Sequence, residues 1–408
     1  MPSLKINIAW ALLGNSGFSL LQWLQLSLIA KFFGLEALGV YALAVAIVGP
    51  IFSFTNLHLR SVQATDVAGD FSFPDYFSTR LCFSSLAGAA VFLIVTLFQE
   101  QAFWPILSVA LAKYIESFSD VIYGRLQRAE RMKTIGVSMI FRASLSLSLF
   151  VALGLIWQDF EIALIALPAG NLLALWIVDR PSILGQESYR FRLNDRIISL
   201  IKTAWPLGIV IAANTLVTNV PRYIFDYYFD SKTLGVFAAL SYFIVAGSMV
   251  VNALGQSALP RLASFRYSGG SDKSSLLLRL QALVFVVGLL GVLVAYVFGE
   301  YLLRVFYTIE VAKYHKSFVW LMVAAIPLYL SGITNTGVTS YRKFGFNSVI
   351  SLSTLFVASV SGLLFIPRLG IEGAIVCLAI SYTFKWIASM AALKKLESTS
   401  SIGKVINK

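Results

Sequence analysis

Twelve apolar runs of about 18–25 residues follow one another along this chain of 408 residues, with short polar segments between them. They lie at roughly 6–30, 37–59, 81–98, 103–124, 135–157, 161–178, 197–220, 234–259, 276–298, 317–340, 346–366 and 371–393. A helix rises ~1.5 Å per residue, so each run is long enough to cross the ~30 Å hydrocarbon core of a bilayer. Charged residues make up 13% of the chain, against about a quarter in a soluble domain. The expected fold is an all-α polytopic membrane protein with about 12 transmembrane helices. The first run has no small-residue cleavage site and leads straight into further spans. It reads as a first transmembrane helix, not a signal peptide.

The net charge of +12 follows topology. With the N-terminus inside, outer loops hold only seven of the 32 Lys and Arg: Lys31, Arg222, Lys232, Arg304, Lys313, Lys316 and Arg368. Lys113, Arg142 and Lys385 lie within spans, and the rest sit on the inner side. This positive-inside bias places both termini in the cytoplasm. Contact with anionic membrane lipid accounts for the basic balance, and no nucleic-acid partner is implied. Cys82 and Cys377 fall in separate spans and read as small packing residues, not a disulfide.

The most hydrophilic segment, "DRPSILGQESYRFRLNDR" (179–196), lies near the midpoint. It divides the chain into a six-helix bundle over 1–178, a cytoplasmic linker over 179–196, a second six-helix bundle over 197–393 and a cytoplasmic tail over 394–408. "LGVYALA" (38–44) returns as "LGVFAAL" (234–240), and "AW" at 9–10 returns at 204–205. Six spans per half give both halves the same orientation, as parallel repeats enclosing a central cavity. "GNSG" (14–17) suits close helix packing. Pro50, Pro168, Pro206 and Pro327 mark kinks.

The fourth run carries charge where hydrocarbon is expected. In "AKYIESFSDVIYGR" (112–125), Lys113, Glu116 and Asp120 stand at i, i+3 and i+7, on one helix face. That face cannot look at lipid, where each charge would cost at least ~2.5 kcal/mol. Arg142 in the fifth run reaches the same depth as Glu116, ~10–12 Å from the intervening turn, and the two are candidate partners. Asp120 lies nearer the interface, within reach of Arg125 or Arg128. If Arg142 takes Glu116, Lys113 is left for an anion. Two readings stand side by side: a structural Lys–Glu–Arg cluster pinning the fourth helix to the fifth, and a site for a ligand or coupling ion. His58 and His315 are isolated, so no metal site is expected. There is no GxxxxGK[ST] loop for a nucleotide, and no other cofactor is implied.

"NLHLRSVQATD" (56–66), "FSFPDYFSTR" (71–80), "YGRLQRAERM" (123–132), "NVPRYIFDYYF" (219–229), "LGVFAALSYFIVAGSMVVNALGQSALPRLASF" (234–265) and "IPRLGIEGAIVCLAIS" (366–381) together resemble the Wzx-type polysaccharide flippases. These are members of the multidrug/oligosaccharidyl-lipid/polysaccharide transporter superfamily. The resemblance covers nearly the whole chain. It implies two six-helix bundles facing a basic central cavity, with no enzymatic activity. The implied activity is moving undecaprenyl-pyrophosphate-linked oligosaccharide, such as an O-antigen repeat unit, across the bacterial inner membrane. The basic cavity of such flippases maps onto Lys113 and Arg142. Arg60 in "HLRS" and Arg222 in "VPRY" lie within matched motifs at its inner and outer ends. Implied partners are the lipid-linked substrate, membrane lipids, an H+ or Na+ coupling ion acting through Glu116 or Asp120, and polysaccharide polymerase or chain-length proteins. The alternatives are a cation-coupled multidrug exporter of the same superfamily and a membrane-embedded glycan polymerase or ligase. Reporters fused at residues 190 and 270 should read cytoplasmic and one at 229 periplasmic. A periplasmic signal at 190 would contradict the division into two six-span halves.

Overall fold

The computed structural model describes all residues except 1–3, 67–68, 99–101, 184–189, 193, 269–270, 342–343 and 407–408. For residues 4–5, 65, 206–207, 256–257, 259–261, 263–268, 271–274, 344 and 398–406 only the backbone is described. The helices are α1 Leu4–Phe32, α2 Gly34–Thr55, α3 Leu59–Thr65, α4 Phe73–Phe98, α5 Phe103–Arg128, α6 Met132–Trp157, α7 Phe160–Leu164, α8 Ala166–Ala174 and α9 Arg180–Ser182. They continue as α10 Asp195–Tyr228, α11 Ser231–Ser268, α12 Ser271–Phe306, α13 Ile309–Ala312, α14 His315–Thr339, α15 Phe344–Leu369 and α16 Ile371–Ile406. A π turn at Leu175–Asp179 joins α8 to α9. Counting α7 to α9 as one, and α3 and α13 as connectors, gives twelve segments of bilayer length.

Among the described residues, nine helices are long and apolar enough to cross a membrane, ten if the bent α10 is included. Helices α1 and α5 have the length but are more polar. Asn15, Gln22 and Gln25 interrupt α1, and Lys113, Glu116 and Asp120 interrupt α5. The helices overrun the apolar runs. The polar segment 59–80, after the second apolar run, holds α3 and the first turns of α4, and 260–275, after the eighth, is helical to Ser268 and again from Ser271. Apolar runs mark hydrocarbon, whereas a helix continues into water on backbone hydrogen bonds alone. Part of the expected linker, 184–189 and 193, lies outside the described residues.

The chain divides into two compact units, residues 1–215 and 216–408. In the first, α5 packs against α2, α3, α4, α6 and α8, so this charged span is the hub of its unit. An apolar cluster at one end includes Leu57, Leu59, Tyr76, Ile122, Tyr123, Leu126, Ile135 and Leu200. Beside it the buried Asp66 carboxylate accepts the backbone N–H groups of Gly69, Asp70 and Phe71 and the Tyr76 hydroxyl. Burial pushes the Asp66 carboxyl up, but these bonds outweigh it and hold it below the usual carboxylate range. Its stabilisation is present above the ordinary value of 3.8 and is lost as pH falls through the lower folded value.

In the second unit α14 packs against α11, α12 and α16, and α15 against α16. Gly370 takes a left-handed φ of 57° at the α15–α16 joint. Three residues on, a Cβ at Gly373 would collide with the Phe365 carbonyl. The "PRLGIEGA" motif is thus a tight joint. The repeated segments open α2 and α11, and Leu38 and Leu234 are both buried. Pro50 and Pro327 lie inside α2 and α14, and α10 bends by 45° between Trp205 and Gly208. Both cysteines are free: Cys377 is packed as expected, whereas Cys82 is exposed on α4.

Helices α1 and α6 meet through "GNSG". A Cβ on Gly14 would stand 2.5 Å from the Gly136 Cα, and one on Gly136 would stand 2.8 Å from the Trp10 carbonyl oxygen. Both contacts are with backbone, so neither yields without moving a helix. Gly14→Ala or Gly136→Ala should therefore cost about 1–3 kcal/mol, read as a lower thermal midpoint. Gly88→Ala, with nothing within 4 Å of the added carbon, should leave the midpoint near wild type.

Candidate functional site

Along α5 the polar face reads Lys113, Glu116, Asp120 and Tyr123. Four neighbouring elements answer it: α3, α4, α6 and the π turn. Leu57 and His58 adopt φ of 49° and 53° between α2 and α3, a left-handed pair rare for such residues. The reversal carries Arg60 over α5, where its Nε donates to Gln127 Oε1 at 3.1 Å. Its Nη1 lies 3.7 Å from Asp120 Oδ1, and its guanidinium stands 5.3 Å from the Tyr123 ring centre. From α4, the wholly buried Arg80 donates to Asn56 Oδ1 and lies 3.4 Å from Asp120 Oδ2.

The other side of Tyr123 faces a second network. The Arg142 guanidinium stands 5.5 Å from the ring centre. Its Nη2 donates to the Tyr123 oxygen at 2.9 Å and to Asp179 Oδ2 at 3.0 Å. The Tyr123 and Ser138 hydroxyls are 2.7 Å apart, and Ser138 donates to Asp179 Oδ1. Assigning the Tyr123 proton to Ser138 closes a ring: arginine donates to tyrosine and to aspartate, tyrosine donates to serine, and serine donates to aspartate. Asp179 is the last residue of the π turn, a local geometry frequent at functional sites.

The expected Glu116–Arg142 pair is therefore not formed. Arg142 takes Asp179, the first residue of the polar segment 179–196. Glu116 instead accepts from Lys113 Nζ at 2.7 Å, so Lys113 is not left without a partner. Asp120 turns to Arg60 and Arg80, not to Arg125 or Arg128, because α4 begins at Phe73 and carries Arg80 into the protein. Arg80, Tyr123 and Asp179 were missed. The available signal was a charge at each edge of an apolar run: Arg80 directly before the third, Asp179 directly after the sixth.

Exposure separates the cations. The Arg142 and Arg80 side chains are 3% and 0% exposed, sealed by protein. Lys113 and Arg60 are 37% and 25% exposed. An open charge at membrane depth belongs beside water, so this face of α5 can present two cations and two carboxylates to a polar ligand. Arg222 belongs to the second unit, on α10, where its Nη1 donates to Asn219 Oδ1 at 3.0 Å. Among the described residues, no group of three or more His, Cys, Asp and Glu could hold a metal.

Residues 4–266 match the family described as polysaccharide biosynthesis protein. The capsular polysaccharide biosynthesis protein CapF of Staphylococcus aureus is 28% identical over 382 residues, 92% of this chain and 95% of that protein. Among solved structures, the MATE transporter VcmN of Vibrio cholerae aligns with a TM-score of 0.67 and 16% identity, covering 97% of this chain and 96% of its own. A MOP superfamily transporter of Pyrococcus furiosus, described by the reverse polarity of its binding pocket, aligns with a TM-score of 0.67 and 12% identity, covering 97% and 94%. The fold is that of the MATE-like MOP transporters.

Removing one member of the sealed pair, by Asp179→Asn or Arg142→Gln, should cost about 3–5 kcal/mol, because it strands a buried charge. Glu116→Gln, at a partly open pair, should cost about 1 kcal/mol or less. The swap Arg142→Asp with Asp179→Arg should recover part of the folded yield. Strictly additive losses would contradict the contact.

Proposed function

Because the chain belongs to the polysaccharide biosynthesis protein family, we propose that it flips an undecaprenyl-pyrophosphate-linked oligosaccharide across the bacterial inner membrane by alternating access. The cargo is an O-antigen or similar surface-polysaccharide repeat unit, and both termini are cytoplasmic. The observation carrying this reading is the open charged face of α5, where Lys113 is accessible within a hydrophobic segment and Arg60 of α3 is accessible beside Asp120. A pyrophosphate is recognised by ammonium and guanidinium groups. A glycan needs a wet polar passage, and a prenyl tail can remain in lipid. Lys113 meets the pyrophosphate, exchanging part of its bond to Glu116 for the substrate. Arg60 supplies a second cation about 10 Å along the helix, taken from the rise between Lys113 and Asp120. Arg142 holds Tyr123 and the helices in place.

A multidrug cation exporter would want carboxylates without cations beside them. Here Glu116 is answered by Lys113, and Asp120 by Arg60 and Arg80. A polymerase or ligase would need a large loop to hold its glycan, and the described helices follow one another through short connections. The driving force is either an H+ or Na+ gradient acting through Glu116 or Asp120, or removal of product downstream.

The test is flipping of lipid-linked oligosaccharide by Lys113 variants matched for expression. Loss of one charge-assisted bond, about 1.5–3 kcal/mol, predicts that Lys113→Ala flips about 10–100-fold more slowly. Lys113→Arg should keep part of the rate, since charge survives while shape changes. Lys113→Glu should abolish it. Near-normal flipping by a well-expressed Lys113→Glu protein would return the stretch to a purely structural role.

A further inference from the structure

On the first unit, away from the charged face of α5, a pocket of about 330 Å³ is lined by Phe77, Phe118, Ile122, Leu175, Trp176 and Arg180. We propose that it holds part of one acyl chain of an anionic phospholipid whose phosphate rests on Arg180.

The walls come from α4, α5 and the π turn. Phe77 and Phe118 pack with ring centres 6.0 Å apart, and Tyr114 meets Phe118 edge-on at 5.2 Å. Five of the six lining residues are apolar or aromatic, and only Arg180 carries a strong polar group. A sugar would find no hydrogen-bonding partners on these walls. A hydrocarbon chain would meet them through van der Waals contact alone.

Arg180 stands at the edge of this surface. Its guanidinium lies 4.5 Å from the ring centre of Trp176, and both residues are exposed. Asp179, its neighbour, is turned inward onto Arg142 and Ser138. Among the described residues, no carboxylate answers Arg180. Tryptophan and arginine at the end of a span sit at headgroup level.

The volume takes a segment of one chain, not a whole lipid. Bilayer hydrocarbon gains no hydrophobic energy on entering, since lipid tails are as apolar as the walls. Selection therefore rests on the headgroup, and a guanidinium at the rim favours a lipid with net negative charge.

The full-length protein, reconstituted in nanodiscs of mixed phosphatidylglycerol and phosphatidylcholine and weighed intact by native mass spectrometry, tests this. The wild type should retain one phosphatidylglycerol per chain in preference to phosphatidylcholine. Arg180→Gln, an exposed substitution, should lower that retention about fivefold, and Arg180→Lys should keep most of it. Leu175→Trp, which fills the chain volume, should also lose it. Unchanged retention in Arg180→Gln or equal retention of phosphatidylcholine overturns the assignment. So does displacement of the lipid by one equivalent of a polyprenyl phosphate, which would make the pocket a site for the substrate's tail.

Discussion

Arg142 and Asp179, 3.0 Å apart and almost wholly enclosed, set the terms for the first unit. A guanidinium inside a helix bundle bathed in hydrocarbon cannot be left without its counter-charge. The pair draws three spans together: Tyr123 comes from α5, Arg142 and Ser138 from α6, and Asp179 from the π turn that ends the sixth span. The ring occupies Arg142 Nη2, both hydroxyls and both Asp179 carboxylate oxygens, while Arg142 Nε is buried without a hydrogen-bond partner. Once α5 is fixed on that side, its remaining charges have little freedom in where they point.

Two classes of cation result. Arg80 and Arg142 are enclosed and spend their hydrogen bonds on Asn56, Asp120, Tyr123 and Asp179. Arg60 and Lys113 face open space and are held by single carboxylates. Tyr123 is shared by the classes, with the Arg60 and Arg142 guanidinium groups 5.3 and 5.5 Å from its ring centre. A ligand that disturbs Arg60 therefore acts on a side chain stacked against the sealed network. This links the open face to the packing of α5 and α6 without any further device.

The twelve segments of bilayer length were legible because hydrocarbon length leaves a direct mark on sequence. The stripe of Lys113, Glu116 and Asp120 was legible for a similar reason, since spacing fixes the face of a helix. Partner choice was not. It depends on where helices end, and they run past their apolar cores: α4 starts eight residues before its run and so encloses Arg80. Asp179 looked like the first residue of a linker because the sequence turns polar there, yet the π turn directs it inward. Depth counting paired Arg142 with Glu116 on two spans and missed the third. The glycines of "GNSG" and "PRLGIEGA" were legible as motifs, and their contacts show that they serve helix packing, so they identify a family more readily than a cargo.

On the proposed function, the open face of α5 serves an anionic, lipid-linked glycan and not an organic cation. Proteoliposomes of the wild-type protein, loaded with lipid-linked oligosaccharide labelled in one leaflet and assayed in parallel for uptake of an organic cation, put it to the most direct test. The labelled glycan should reach the opposite leaflet in a protein-dependent way while the cation does not cross. Cation transport with the glycan left in its original leaflet would contradict it.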